Sequence, residues 1–235
     1  DVVEVGRHRA LTHPETSADL ARRETVRGGD EDRLLPVGQD RRGGSLPCGQ
    51  ALGDHLGRRV PNVRRISVVG NSGSGKTTVA KALAARLSVP HVELDAIYHQ
   101  ANWTPLPTDQ FRRHVTDAIT SDGWVADGNY SSVRDVIWER ADTVVWLDLP
   151  RRVVMRRVAA RTLHRMVRGE ELWNTNRERW RNLLDADSSI IVWAWTQHDK
   201  YRQRYSAASQ APEYGHLVFV RLGSTADVHR FLRSV

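Results

Sequence analysis

Eight consecutive residues, Gly70-Asn71-Ser72-Gly73-Ser74-Gly75-Lys76-Thr77, match the pattern GxxxxGK[ST] at every fixed position. The chemistry such a run supports is phosphate binding. Its glycines let the chain curl until successive backbone N–H groups face one centre, and a helix beginning at the lysine adds the positive end of its dipole. Lys76 would reach the β and γ phosphates of a nucleotide, Thr77 would offer its hydroxyl to Mg²⁺, and Thr78, next in line, counts with the cradle. A chance Gly/Ser loop is the bland alternative, and the flanking sequence argues against it.

A cradle of this kind must sit between a strand and a helix, and the sequence supplies both. Arg65 to Val69 is a short β-branched run ending at Gly70, and helix formers follow from Lys76 to Leu87. The alternation continues with a strand at His91 to Leu94, a helix from about Thr108 to Thr120, a strand at Trp124 to Ala126, a short helix near Ser132 to Arg140 and a strand at Thr143 to Leu147. After Pro150 comes an Arg-rich helix to about Val167, a polar stretch at Arg168 to Asn176, a second helix, and a third starting near Ser188. Ile190 to Trp195 is β-branched enough for a strand, but Ile191, Trp195 and His198 recur at helical spacing. The last strand is His216 to Arg221, followed by Ser224 as an N-cap and a helix from Thr225 to Arg233. This alternation predicts an α/β fold, a parallel five-stranded sheet flanked by helices.

Two aspartates leave predicted strands on the side where ligands lie in such sheets. Asp127, in Asp127-Gly128-Asn129-Tyr130, could hold the water shell of Mg²⁺; an ordinary Asp-Gly turn is the alternative. Asp95 is the candidate base toward an acceptor hydroxyl, with a helix N-cap as its plain reading, while Tyr98, Trp103 and Tyr130 offer flat surfaces for a base or ring. His91 and His99 have no metal-ligand partners at useful spacing. Trp173, Trp180, Trp193 and Trp195 are expected in the core. The guanine-specificity motif NKxD does not occur, which favours ATP.

These residues resemble the adenylate kinase-like family of nucleoside monophosphate kinases. Asp127-Gly128 is similar to the start of that family's DGFPR motif, and Leu147-Asp148-Leu149-Pro150 followed by Arg157 and Arg161 resembles its strand, its Asp-x-Pro exit and its two lid arginines. The nearer resemblance is to the FlaR-like DNA topology modulation proteins. It is carried by Leu94-Asp95 with Tyr98-His99, by Trp103, by Asp127 to Ser131, and by Glu171-Leu172-Trp173. It spans about residues 64 to 235 and implies an ATP-binding phosphotransferase with Mg²⁺, an Arg-rich lid at about residues 155–180, and Arg157 and Arg161 gripping ATP phosphates. Guanidinium forks suit that task, since two parallel hydrogen bonds match phosphate oxygens. The sequence departs from the family where DGFPR has its acceptor-phosphate arginine: Ser131 stands there, and the next arginine is Arg134. The acceptor is therefore either a phosphorylated, nucleotide-like molecule held by Arg134, or a neutral hydroxyl-bearing one oriented by Asp95.

Composition sets the outer bounds. The 235 residues carry a net charge of +7 and a mean hydropathy of -0.52, the average of a water-exposed globular chain, with no apolar run near the roughly 20 residues that cross a bilayer. The lone Cys48 points to a reducing, cytoplasmic setting, and the first residues show no apolar signal-peptide core. Residues 1–60 hold no aromatic residue and read as a disordered or non-native extension, leaving 61–235 as the kinase-like domain. A net charge of +7 could also suit a nucleic-acid-associated ATPase or regulator. However, the excess lies in residues 151–181, where ten arginines face three acids, the place where a phosphate-gripping lid needs charge.

Overall fold

The computed structural model describes residues 63–168, 174 and 190–235. The predicted extension 1–60 lies outside them, as do Glu171-Leu172-Trp173, Trp180 and most of the 155–180 segment beyond Arg168.

Five strands, β1 (Arg65–Gly70), β2 (His91–Glu93), β3 (Trp124–Asp127), β4 (Thr143–Leu147) and β5 (Val218–Leu222), form one sheet in the order β2-β3-β1-β4-β5. Every pairing is parallel. The central strands are β-branched and closed to water on both faces, β4 along its whole length, as a parallel sheet covered on two sides requires. Each fully buried Val, Ile or Leu contributes about 1.5–3 kcal/mol.

One face packs against α1 (Lys76–Leu87) and, near the end of the chain, Phe231. The other carries α2 (Leu94–Tyr98), α3 (Thr108–Ala118), α4 (Arg134–Arg140) and the tyrosines of the long helix that follows residue 189. The helix leaving β1 and the elements leaving β3 thus cover opposite faces, which opens a crevice at the carboxyl ends of these two strands. An Arg-rich helix, α5 (Arg151–Arg168), and α6 (Ile190–Ala208) pack together beside that crevice. The chain ends in α7 (Thr225–Ser234), whose N-cap Ser224 accepts the Asp227 N–H at 3.1 Å.

One boundary moved for a physical reason. β2 ends at Glu93, because Leu94 is drawn into the core and starts α2, a short helix that periodicity did not reveal. Ile190 to Trp195 is helical, the first turns of α6, with Ala194 fully buried against α5. Trp195 is the departure from the expected core: it is 53% exposed, with the Arg151 guanidinium 4.6 Å over its ring. No helix among the described residues is long and apolar enough to cross a membrane.

Candidate active site

The loop from Gly70 to Thr77 joins β1 to α1 and is wrapped by backbone that only glycine adopts without strain. Gly73 has φ of +76°, and a Cβ there would lie 3.0 Å from the Val154 carbonyl of α5. Ser74 N–H closes the loop on Asn71 O at 3.1 Å. Lys76 folds back so that its ammonium donates to Asn71 O at 3.2 Å. Burial lowers the pKa of that ammonium, opposed by the nearby carboxylates of Asp95 and Asp127.

Asp127, at the end of β3, is 3% exposed and has both oxygens engaged. Thr77 Oγ1 donates to its Oδ2 at 2.7 Å, and His91 Nε2 lies 2.7 Å from its Oδ1. A hydroxyl and a carboxylate together are hard oxygen donors, the set that suits Mg²⁺. No group of three or more His, Cys, Asp or Glu among the described residues could hold a metal ion. A cation at Thr77 and Asp127 would therefore rely on nucleotide phosphates for further oxygens, the usual arrangement for Mg²⁺.

The two arginines of α5 reach the same loop. Arg157 donates to Ser74 O at 3.2 Å and to Thr225 Oγ1 at 3.1 Å, and Arg161 donates to Ser72 Oγ at 3.1 Å. Arg161 thus lies over the cradle, whereas Arg157 spans the gap from the cradle to the first residue of α7.

On the other side of Lys76, α2 presents Asp95. Its Oδ1 accepts the Tyr130 hydroxyl at 2.7 Å, and that hydroxyl lies 3.3 Å from His99 Nε2. Burial, then the adjacent Asp95 charge, pushes the Tyr130 pKa well up, so it stays a donor. Burial lowers the His99 pKa, and Asp95 pulls against that shift. Gly128 (φ +150°) is needed between Asp127 and Tyr130, since a Cβ would meet Leu94 Cβ at 2.8 Å.

The aromatic residues divide. Tyr98 is 6% exposed, with ring centroids 5.1 Å from Phe111 and 4.7 Å from Tyr130, so it backs the site from the core instead of presenting a face. Trp103 is half-buried in a left-handed turn (φ 58°), its ring edge-on to His99 at 5.4 Å. Arg134 is half-buried, and its guanidinium rests 5.8 Å over Trp138. Arg112, by contrast, makes two parallel 2.8 Å bonds to Asp135, which fasten α3 to α4. Among the described residues Arg134 has no carboxylate partner.

Sequence reasoning passed over two residues of this region. His91 sits on Asp127, a contact visible only once β2 and β3 are known to be neighbours. Asn129 hydrogen-bonds Gly70 on both its N–H and its C=O. The Asp-Gly-Asn-Tyr run marked its position, though not its partner.

Strand order, cradle and the Thr77–Asp127 pair define a P-loop nucleotide-binding α/β fold of the kinase type. Within that class, residues 72–201 match the family profile described as Shikimate kinase, and the chain belongs to that family. A relative from Oryza sativa subsp. japonica, Shikimate kinase 2, chloroplastic, is 33% identical over 114 residues, which are 42% of this chain and 37% of that protein. The match therefore spans little more than a third of that relative. Two solved structures are similar: a shikimate kinase from Bacteroides thetaiotaomicron (17% identity, 72% of this chain, 94% of that one, TM-score 0.41) and a gluconokinase from Sinorhizobium meliloti 1021 (20%, 73%, 91%, TM-score 0.41).

Proposed function

We propose that this chain transfers the γ-phosphoryl group of ATP to a hydroxyl of a small acceptor. The observation that carries the reading is the position of Lys76, which feels Asp127 on the cation side and Asp95 on the acceptor side of one crevice. Asp95 Oδ1 is held by Tyr130, and its Oδ2 has no hydrogen-bond partner among the described residues. The acceptor hydroxyl would donate to that oxygen while its own oxygen attacks the γ-phosphorus. The bond from that phosphorus to the β–γ bridging oxygen breaks, ADP leaves, and the hydroxyl proton passes to Asp95. Lys76 and Arg161 would neutralise charge on the transferring group, and Arg157 would border the nucleotide between the cradle and the start of α7. Thr77 and Asp127 would hold Mg²⁺, which when bound draws charge from the β and γ phosphates.

The acceptor would lie against Tyr130 and Trp103, with Tyr98 behind them. Arg134, lacking a carboxylate partner among the described residues, supports an acceptor that also carries an anionic group. The stretches Leu94 to His99 and Asp127 to Ser131, which line this half, support placing the chain near the FlaR-like branch within its wider fold class. ATP consumption measured against a panel of shikimate, gluconate, nucleoside monophosphates, nucleosides and sugars tests the reading. One acceptor should gain a phosphoryl group with stoichiometric ADP release. ATP hydrolysis indifferent to every acceptor, together with salt-sensitive DNA binding, would instead favour a nucleic-acid-associated ATPase.

A further inference from the structure

Asn129 has no part in the chemical step proposed above, yet its carboxamide makes three hydrogen bonds at the edge of the cradle. Its Oδ1 accepts the Gly70 N–H at 3.2 Å and the Tyr205 hydroxyl at 3.0 Å, and its Nδ2 donates to Gly70 O at 2.7 Å. The sheet explains why this matters. The last register pair between β1 and β3 is Val68 with Asp127, and Gly128 N–H still reaches Val68 O at 3.3 Å. Beyond that point the two chains diverge into separate loops. The Asn129 carboxamide takes over where the backbone ladder stops, binding both polar groups of Gly70 as a neighbouring strand would.

Gly70 is the first residue of the cradle and has φ of +144°, so nothing in its own side chain sets the direction in which the loop departs. The orientation of the amide is also fixed. The Gly70 N–H can only donate and the Gly70 carbonyl can only accept, so Oδ1 meets the one and Nδ2 the other, and the hydroxyl of Tyr205, 2% exposed on α6, donates to the same Oδ1.

We propose that Asn129 is a positioning residue for nucleotide binding, fixing the Gly70 backbone and hence the direction of the phosphate cradle, with Tyr205 of α6 holding the amide in its working orientation. The proposal rests on the nucleotide-binding part of the function above. A preformed cradle binds phosphate without first ordering its own backbone, so loosening Gly70 lowers affinity while the fold survives.

The test is the affinity of the full chain for MgATP and MgADP by calorimetry, at a temperature well below each variant's Tm, together with the KM for the acceptor. Asn129→Ala should weaken nucleotide binding roughly tenfold, the loss expected for a pair of backbone hydrogen bonds. Asn129→Asp, which replaces the donor to Gly70 O with an oxygen, should do at least as much. Tyr205→Phe should act in the same direction, about threefold, and the acceptor KM should stay within twofold for all three. A lowered Tm with unchanged nucleotide affinity would make Asn129 a purely structural residue and overturn the proposal. Should Asn129→Ala fail to fold, Tyr205→Phe decides alone, and wild-type affinity in that variant overturns it. If the unaltered chain binds no nucleotide, the functional reading itself is at fault.

Discussion

The two halves of the crevice are built by different means. The half proposed for the nucleotide is largely main chain: eight consecutive residues curl under local rules, and Lys76 and Thr77 come from the same run. The half proposed for the acceptor is assembled from side chains on separate elements, Asp95 and His99 around α2, Tyr130 after β3 and Arg134 on α4. Its geometry rests on a hydrogen-bonded chain from Asp95 to Tyr130 to His99 and on aromatic packing behind it. A phosphate is the same for every nucleotide, so a fixed backbone cradle suits it. An acceptor is particular to one enzyme, and side chains can be exchanged without disturbing the sheet.

The largest effect expected tests the nucleotide half. Lys76→Ala should lower ATP turnover by at least the ~10²–10³-fold typical of removing one preorganised donor to developing charge. Its Tm should hardly change, because the ammonium is satisfied by loop backbone and supports no apolar packing. A coupled ADP-release assay and thermal melting check both. Next comes Asp95→Asn, expected to reduce kcat by ~10² while leaving MgATP affinity intact. If it weakened nucleotide binding instead, the division between halves would fail.

Arg134→Ala sharpens the acceptor half. A lost charged hydrogen bond to an anionic acceptor should cost about 1.5–3 kcal/mol in kcat/KM for the acceptor, with the KM for ATP nearly constant. A silent Arg134→Ala combined with a crippled Asp95→Asn would point to a neutral acceptor.

The same contrast governs what the sequence disclosed. The parallel sheet, its five strands and the cradle were legible because each depends on residues close in sequence, a β-branched run or a spacing of glycines. The Ser224 cap was legible for the same reason. α2 was not, since five residues cannot show a helical period and Leu94 turns inward only against tertiary neighbours. Tyr98 and Trp195 were misjudged in opposite directions, one as an open surface and one as core. Whether an aromatic ring is covered depends on elements far along the chain. His91 on Asp127 and Asn129 on Gly70 became visible only through the β2-β3-β1 order, which no local pattern encodes.

The smallest effect expected concerns His99, where the acceptor half should reveal itself through stability. Burial lowers the His99 pKa from its usual 6.5, and Asp95 offsets only part of that. The folded chain thus binds this proton more weakly than the unfolded chain does. Its contribution to stability is complete above pH 6.5 and is lost as pH falls through the lowered folded value. The wild-type Tm should therefore fall more steeply between pH 7 and pH 5 than that of His99→Gln, which keeps a polar group near Tyr130 but cannot take up the proton. A difference of a few degrees at most is expected at this chain length. Nucleotide affinity should show no matching difference between the two proteins over the same range, because His99 stands on the acceptor side of Asp95. If the two Tm profiles ran parallel, the His99 proton would be held equally well folded and unfolded. If nucleotide affinity diverged along with Tm, the acceptor network would extend through Asp95 to Lys76, and the two halves would act as one electrostatic unit.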